Sequence, residues 1–186
     1  ATNCSAGTYN AQMRQAMCAK CIAGTFQDAE GATACKGCTE GHYCTEGASA
    51  AQPCREGTHQ NATIVMTSLT QCVSCPAGTY CTLGSSVPTP CPIGTFSATT
   101  QSALCTECPH GTTTASTHTT SSEGCVCKVY QFDRNIATNV TECVDCPIES
   151  TNCNTISVGI TLESLPLRRG FWRASARSES IEQCFQ

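Results

Sequence analysis

The chain has 186 residues, 19 of them cysteine, with a formal net charge of −4 and a pI near 5.5. Cysteine at this level marks a disulfide scaffold, and the 27 Leu, Ile, Val and Phe residues fall below the ~20% expected of a self-sufficient core. The small net charge argues against charge-rich disorder, and the acidic pI without interleaved basic and aromatic residues argues against nucleic acid as a partner.

The cysteines organise the chain from its start. Cys4, Cys18, Cys21, Cys35, Cys38, Cys44, Cys54, Cys72, Cys75, Cys81, Cys91, Cys105 and Cys108 are separated by 13, 2, 13, 2, 5, 9, 17, 2, 5, 9, 13 and 2 residues, and the 5- and 9-residue spacing from Cys38 returns from Cys75. Inside these blocks one phrase recurs, Cys-x-x-Gly-Thr followed by an aromatic: CSAGTY from Cys4, CIAGTF from Cys21, CPAGTY from Cys75 and CPIGTF from Cys91. Looser copies are CTEGHY from Cys38, CREGTH from Cys54 and CPHGTT from Cys108. Such self-similarity is an internal repeat whose units are each too small to bury a face alone. The glycine is expected at a turn with positive φ. Thr and the aromatic then open a short strand. The rings of Tyr9, Phe26, Tyr80 and Phe96 are expected to lie over the neighbouring disulfide as a miniature core.

Beyond Cys108 the pattern loosens through Cys125, Cys127, Cys143, Cys146 and Cys153 to a distant Cys184. Residues 111–122 are a Thr/Ser-rich patch, either a carrier of O-linked sugars or bare solvated coil. Residues 154–186 read as a short terminal module, with short strands expected at Ile156-Ser157-Val158 and Thr161-Leu162 and the sole tryptophan at Trp172. The expected division is thus 1–110 tandem repeats, 111–153 divergent repeats and 154–186 the terminal module. No helical period of apolar residues stands out between the many Gly, Pro, Ser and Thr.

Six cysteines alone allow fifteen connectivities, so spacing does not dictate the pairing. The simplest scheme joins each cysteine to the next: 4–18, 21–35, 38–44, 54–72, 75–81, 91–105, 108–125, 127–143 and 146–153. An interleaved arrangement such as 38–54 with 44–72 stays open. Cys184 is left over, with its partner expected in the remainder of a longer chain or in another subunit. Disulfides at this density persist in oxidising compartments. Three acceptor sequons at Asn3, Asn61 and Asn139 agree with passage through the secretory pathway. With no initiator Met, signal peptide or membrane-spanning apolar run, the chain is expected to be part of a longer extracellular or cell-surface protein, its anchor elsewhere and no membrane contact of its own.

The phrase, together with the segment CPAGTYCTLGSSVPTPCPIGTFS over residues 75–97, resembles the ephrin-receptor-like cysteine-rich repeat, kin in style to EGF-like and TNF-receptor modules. The likeness is strong over residues 1–110 and weaker over 111–153. The stretch GITLESLPLRRGFWR, residues 159–173, resembles a segment that follows such repeats in large surface proteins of algae, oomycetes and other protists. The resemblance implies a small disulfide-rich fold, an elongated tandem array of short β-hairpin repeats with little helix, glycosylated and extracellular. It implies neither kinase activity nor ephrin binding.

Chemistry has little foothold. Cys18-x2-Cys21-x13-Cys35-x2-Cys38 approaches a zinc-ribbon spacing, but the same pairs recur along the chain beside sequons, and Cys44, Cys54 and Cys81 have no place in a zinc scheme. A thioredoxin-like role for Cys-x-x-Cys needs a βαβ context that the pattern lacks. His42, His59, His110 and His118 fall in different units and read as solvated loop residues. Nucleophile elbow, phosphate loop, zinc-protease helix and calcium loop are all missing from the sequence. No enzyme activity, cofactor or metal is expected.

Two function classes remain. One is a structural or assembly segment, a rigid spacer in a surface or filament protein such as a flagellar or ciliary hair of the mastigoneme type. The other is a receptor or adhesion ectodomain that binds a protein or glycan ligand. A contact site would need aromatics and arginines clustered in one place, and Phe171, Trp172 and Arg173 are the candidates. Partners are accordingly other subunits, the rest of the parent chain, and N-linked or O-linked glycans.

Overall fold

The computed structural model describes residues 3–12, 17–109, 111–135, 140–153 and 158–184. Asn139, His110 and the strand expected at Ile156-Ser157 lie outside them. The chain is a small disulfide-rich array of hairpins with no α-helix among the described residues. It divides into two compact units, residues 1–90 with 99–105 and residues 91–98 with 106–186.

In the first unit every strand is two residues long and pairs with its neighbour in sequence, and a 3-10 turn (Leu69–Gln71) precedes the fourth return strand. These pairs are β1 (Thr8–Tyr9) with β2 (Ala19–Lys20), β3 (Thr25–Phe26) with β4 (Lys36–Gly37), β5 (His42–Tyr43) with β6 (Gln52–Pro53), β7 (Thr58–His59) with β8 (Val73–Ser74), and β9 (Thr79–Tyr80) with β10 (Thr89–Pro90). The second unit adds β11 (Thr95–Phe96) with β12 (Thr106–Glu107), then β13 (Thr112–Thr114) with β14 (Cys125–Cys127). There follows a three-stranded sheet in which β15 (Gln131–Asp133) lies between antiparallel β16 (Cys143–Asp145) and parallel β17 (Ile160–Thr161). A last hairpin joins β18 (Phe171–Trp172) to β19 (Glu182–Gln183).

The recurring phrase dictates each hairpin. In Ile22-Ala23-Gly24-Thr25 the Ile22 carbonyl accepts both the Thr25 backbone N–H at 3.0 Å and the Thr25 hydroxyl at 2.7 Å. The same pair of bonds falls on the carbonyls of Ser5, Arg55, Pro76, Pro92 and Pro109 from Thr8, Thr58, Thr79, Thr95 and Thr112. The third turn position therefore needs positive φ, and the seven phrase glycines hold φ between 74° and 89°. After the return strand, the N–H of the next cysteine donates to the phrase glycine's carbonyl, as in Cys21 to Gly7, Cys38 to Gly24, Cys54 to Gly41, Cys75 to Gly57 and Cys108 to Gly94.

Disulfides close the loops. Cys4–Cys18, Cys21–Cys35, Cys38–Cys44, Cys54–Cys72, Cys75–Cys81, Cys108–Cys125, Cys127–Cys143 and Cys146–Cys153 each join a cysteine to the next along the chain. Cys91 and Cys105 are disulfide-bonded as well, and Cys184 is a free, exposed thiol.

The interior differs from the expectation in two places. Tyr9, Phe26, Tyr80 and Phe96 are only half-buried; the sealed positions are the sulfurs, with Cys21, Cys44, Cys54, Cys75, Cys81 and Cys91 at 0% exposure. A ring on a two-residue strand has no second layer to lie against, whereas a cystine is compact enough to be enclosed by the two turns it links. The Thr/Ser patch is not all coil either: Thr112 and Thr114 are buried in β13, and Ala115 to His118 form its exposed part. A conventional apolar core exists in the second unit alone among the described residues: Phe132, Ile160, Leu162 and Leu165 against Cys146 and Cys153, with Val144 and Ile181 at its margin.

Neighbouring hairpins inside the first unit are tied by the phrase glycines. The N–H of Gly7 donates to Gln27 O at 2.7 Å, Gly24 to Cys44 O at 2.8 Å, Gly41 to Gln60 Oε1 at 2.7 Å and Gly57 to Cys81 O at 2.8 Å. A later segment leaves no room for a side chain at Gly41, where a Cβ would meet the Gly84 carbonyl oxygen, while a Cβ at Gly37 would meet nothing within 4 Å. Gly41→Ala is expected to destabilise by about 2 kcal/mol or more through backbone strain and collision. Gly37→Ala should stay within about 0.5 kcal/mol. Thermal unfolding of the two variants checks this, and equal midpoints would contradict the proposed packing.

Candidate functional site

The terminal hairpin holds the contact candidates, and its geometry is that of the repeat. Gly170 has φ 92°, the Phe171 N–H donates to Arg168 O at 3.2 Å, and the Cys184 N–H donates to Gly170 O at 2.8 Å. The register Phe171↔Gln183 and Trp172↔Glu182 copies Thr25↔Gly37 and Phe26↔Lys36. By that register Trp172 holds the place of the phrase aromatic and Cys184 that of the cysteine opening the next loop. Leu167 and Ile181 stand where the loop-closing pair would be.

Phe171 is half-buried and Trp172 is 45% exposed. Arg173 is turned to internal use: its Nη1 donates to Leu162 O and its Nη2 to Glu163 O at 3.0 Å. Arg177 pairs with Glu163 at 2.8 Å and Arg168 donates to Thr151 O at 2.8 Å. These guanidiniums fasten the hairpin to the apolar core; Arg169 is exposed and makes no ion pair among the described residues. The structure thus separates the three candidates into one exposed ring, one half-buried ring and one structural cation.

One further copy of the repeat escapes the glycine pattern. In Cys127-Lys128-Val129-Tyr130-Gln131-Phe132 the Gln131 N–H donates to Lys128 O at 3.2 Å and the Cys146 N–H to Tyr130 O at 2.9 Å. Tyr130 takes the glycine place at φ 65° and is 58% exposed. A bulky residue in the left-handed region costs energy and is worth attention as a contact position. Tyr130 lines a recess of about 80 Å³ with Ile148, Thr151, Arg168 and the Cys146–Cys153 disulfide. The signal was legible as Cys-x-x-Tyr-Gln-Phe, two substitutions away from the phrase.

Another concavity of about 160 Å³ is lined by Glu123, Asp133, Thr161 and the Cys125–Cys127 strand. Both fall below the ~300 Å³ of ordinary small-molecule pockets. Asp133 Oδ1 already accepts the N–H groups of Asn135 and Glu142 at 3.0 and 2.9 Å. Among the described residues no group of three or more His, Cys, Asp or Glu could hold a metal ion. His42 and His59 each engage a local carbonyl, of Glu40 and Gln60, at 2.7 Å through Nδ1, and His118 lies 3.4 Å from the Thr117 hydroxyl. Lys36 donates to Asp28 at 2.5 Å, which holds that carboxyl below its ordinary value, and its ammonium lies 5.9 Å from the centre of the Phe26 ring. This is a fastening across β4 and not a site.

Residues 78–125 match the family model described as tyrosine-protein kinase ephrin type A/B receptor-like. That stretch is an ephrin-receptor-like cysteine-rich repeat region. The match spans about a quarter of the chain and covers the phrase copy from Cys91, the looser copy from Cys108, and the disulfide Cys108–Cys125. Comparison with curated proteins finds no match. The ephrin-receptor-like repeat and the disulfide density point to an extracellular, non-catalytic cysteine-rich module. No helix among the described residues is long and apolar enough to cross a membrane.

Two sets of variants test the division of labour. Arg173→Ala should lower stability by about 1–3 kcal/mol because two carbonyls lose a charged donor. Trp172→Ala should cost about 1 kcal/mol or less. Tyr130→Gly should raise the thermal midpoint by relieving about 1 kcal/mol of backbone strain. A fall on Tyr130→Gly would show that the ring's packing outweighs the strain.

Proposed function

We propose that the chain is a non-catalytic structural segment, a rigid spacer or assembly unit, of a large glycosylated extracellular, cell-surface or filament protein. In its specific form this is a component of a flagellar or ciliary hair of the mastigoneme type. The observation that carries the reading is the tie between successive hairpins of the first unit: each disulfide-closed loop hydrogen-bonds to the next through a glycine N–H, in the four bonds from Gly7, Gly24, Gly41 and Gly57. Repeats joined covalently within and by hydrogen bonds between resist bending, which is what a spacer supplies. The resemblance of residues 159–173 to protist surface proteins favours the filament form.

Cys184 fits the same scheme. Its place in the hairpin is that of Cys38, Cys54 and Cys75, each of which bonds to a cysteine further along the chain. Its partner in this reading is a cysteine outside residues 1–186, in the same chain or in a neighbouring subunit.

The second reading, a receptor or adhesion ectodomain, rests on the exposed Trp172 and on the recess beside Tyr130 and Ile148. Negative-stain electron microscopy of the parent protein in its native surface preparation separates the two. A filament or lattice with a constant repeat supports the structural reading, and isolated particles without mutual order would move the assignment to a receptor. Thiol alkylation and peptide mapping of the same preparation should find Cys184 in a disulfide. A free thiol there would remove it as an assembly bond.

A further inference from the structure

The two sequons whose asparagines are described differ in what the fold does with them. Asn61-Ala62-Thr63 lies on a loop that is fixed at both ends. The Gln60 N–H donates to Ser85 O at 3.0 Å, and the Gln60 carboxamide receives the Gly41 N–H at 2.7 Å. At the far end Met66 is 2% exposed, its carbonyl receives the Cys44 N–H at 3.1 Å, and its sulfur receives the Asn61 N–H at 3.4 Å. Within the loop the Asn61 Oδ1 accepts both the N–H and the hydroxyl of Thr63, at 3.1 and 2.6 Å. The carboxamide is oriented by its oxygen, and its Nδ2 makes no hydrogen bond among the described residues. Ala62 and Thr63 are exposed, and beside them stand Ile64 at 42% and Val65 at 69% exposure, an apolar ledge open to solvent on one side, with Val65 seated against Gly24 on the other.

Asn3-Cys4-Ser5 is the opposite case. Its middle residue is 2% exposed and bonded to Cys18, the Asn3 Nδ2 donates to Glu30 at 3.3 Å, and the Asn3 Oδ1 sits against Gly31. A transferase that must take the acceptor tripeptide into its own groove can reach this sequon only before the disulfide closes.

We propose that Asn61 is the occupied acceptor of an N-linked oligosaccharide and Asn3 is not, and that the first sugars at Asn61 cover Ile64 and Val65. The inference rests on the extracellular reading, since the donor, a polyprenyl-diphosphate-linked oligosaccharide, and its transferase belong to the secretory pathway. In the transfer, Nδ2 of Asn61 bonds to the anomeric carbon, the bond from that carbon to the diphosphate oxygen breaks, and one amide proton leaves to the transferase's base. A pyranose presents an apolar face of C–H groups, suited to lie on an isoleucine and a valine held in place by the buried Met66.

The test is glycopeptide mass spectrometry of residues 1–186 secreted from eukaryotic cells, with amide hydrogen exchange before and after enzymatic release of the sugar from the folded protein. The expected result is high occupancy at Asn61 and little at Asn3, and exchange over residues 62–65 about threefold or more faster once the sugar is removed. Because no substitution is involved, misfolding of a variant does not enter. Correct disulfides with Asn61 empty, or Asn3 equally occupied, would overturn the site assignment. Exchange unchanged by sugar release would overturn the covered ledge. Reduced cysteines with every sequon empty would instead overturn the extracellular reading on which the inference stands.

Discussion

Everything in this structure depends on one turn and the covalent link that closes it. A carbonyl one residue after a cysteine takes two hydrogen bonds from a threonine three residues on, and the glycine between them turns the chain through positive φ. The hairpin that follows is two residues long on each side through most of the chain, far below the size at which a hairpin stands alone in water. The disulfides, with sequence separations from 6 to 18, supply what the hairpins lack. In the chain-entropy account a loop of about 15 residues is stabilised by ~3 kcal/mol through restriction of the unfolded state.

The same turn explains how the hairpins of the first unit combine. Once its carbonyl is used by the returning cysteine, the phrase glycine still has its N–H to offer the next loop, and the absence of a side chain admits a segment from further along, Gly84 at Gly41 and Gln101 at Gly57. Four successive glycines use the N–H in this way. Closure within a loop and attachment between loops thus come from opposite sides of one residue, which is why glycine recurs there more faithfully than the aromatic does. The second unit departs from this economy where an apolar cluster around Phe132 and Leu162 takes over part of the work. There the repeat tolerates losses: tyrosine in the glycine place at Tyr130, and Leu167 and Ile181 in the places of the closing cysteines.

Function follows from what the surface keeps and what the interior consumes. The tail's guanidiniums are largely consumed: Arg168 and Arg173 hold backbone carbonyls, and Arg177 a carboxylate. The surface keeps a tryptophan, a strained tyrosine and a loop that presents an asparagine beside two bare aliphatic side chains. All three stand on a scaffold closed by disulfides repeated along it.

The sequence by itself determined the class: cysteine spacing and the Cys-x-x-Gly-Thr phrase are local, and a local turn with a nearby disulfide is readable because all its participants lie within a few residues. The positive φ of the glycines and the strand at Thr-aromatic were legible for that reason. Tertiary structure alone decided which side chains are buried, since that depends on neighbours distant in sequence. It sealed one or both cysteines of each closed loop and left Tyr9 and Phe26 half-exposed, drew Thr112 and Thr114 out of an apparent coil into a strand, and turned Arg173 inward to the carbonyls of Leu162 and Glu163. It also revealed the turn at Tyr130 and the repeat register of Cys184, because backbone hydrogen bonds survive substitutions that erase a sequence pattern.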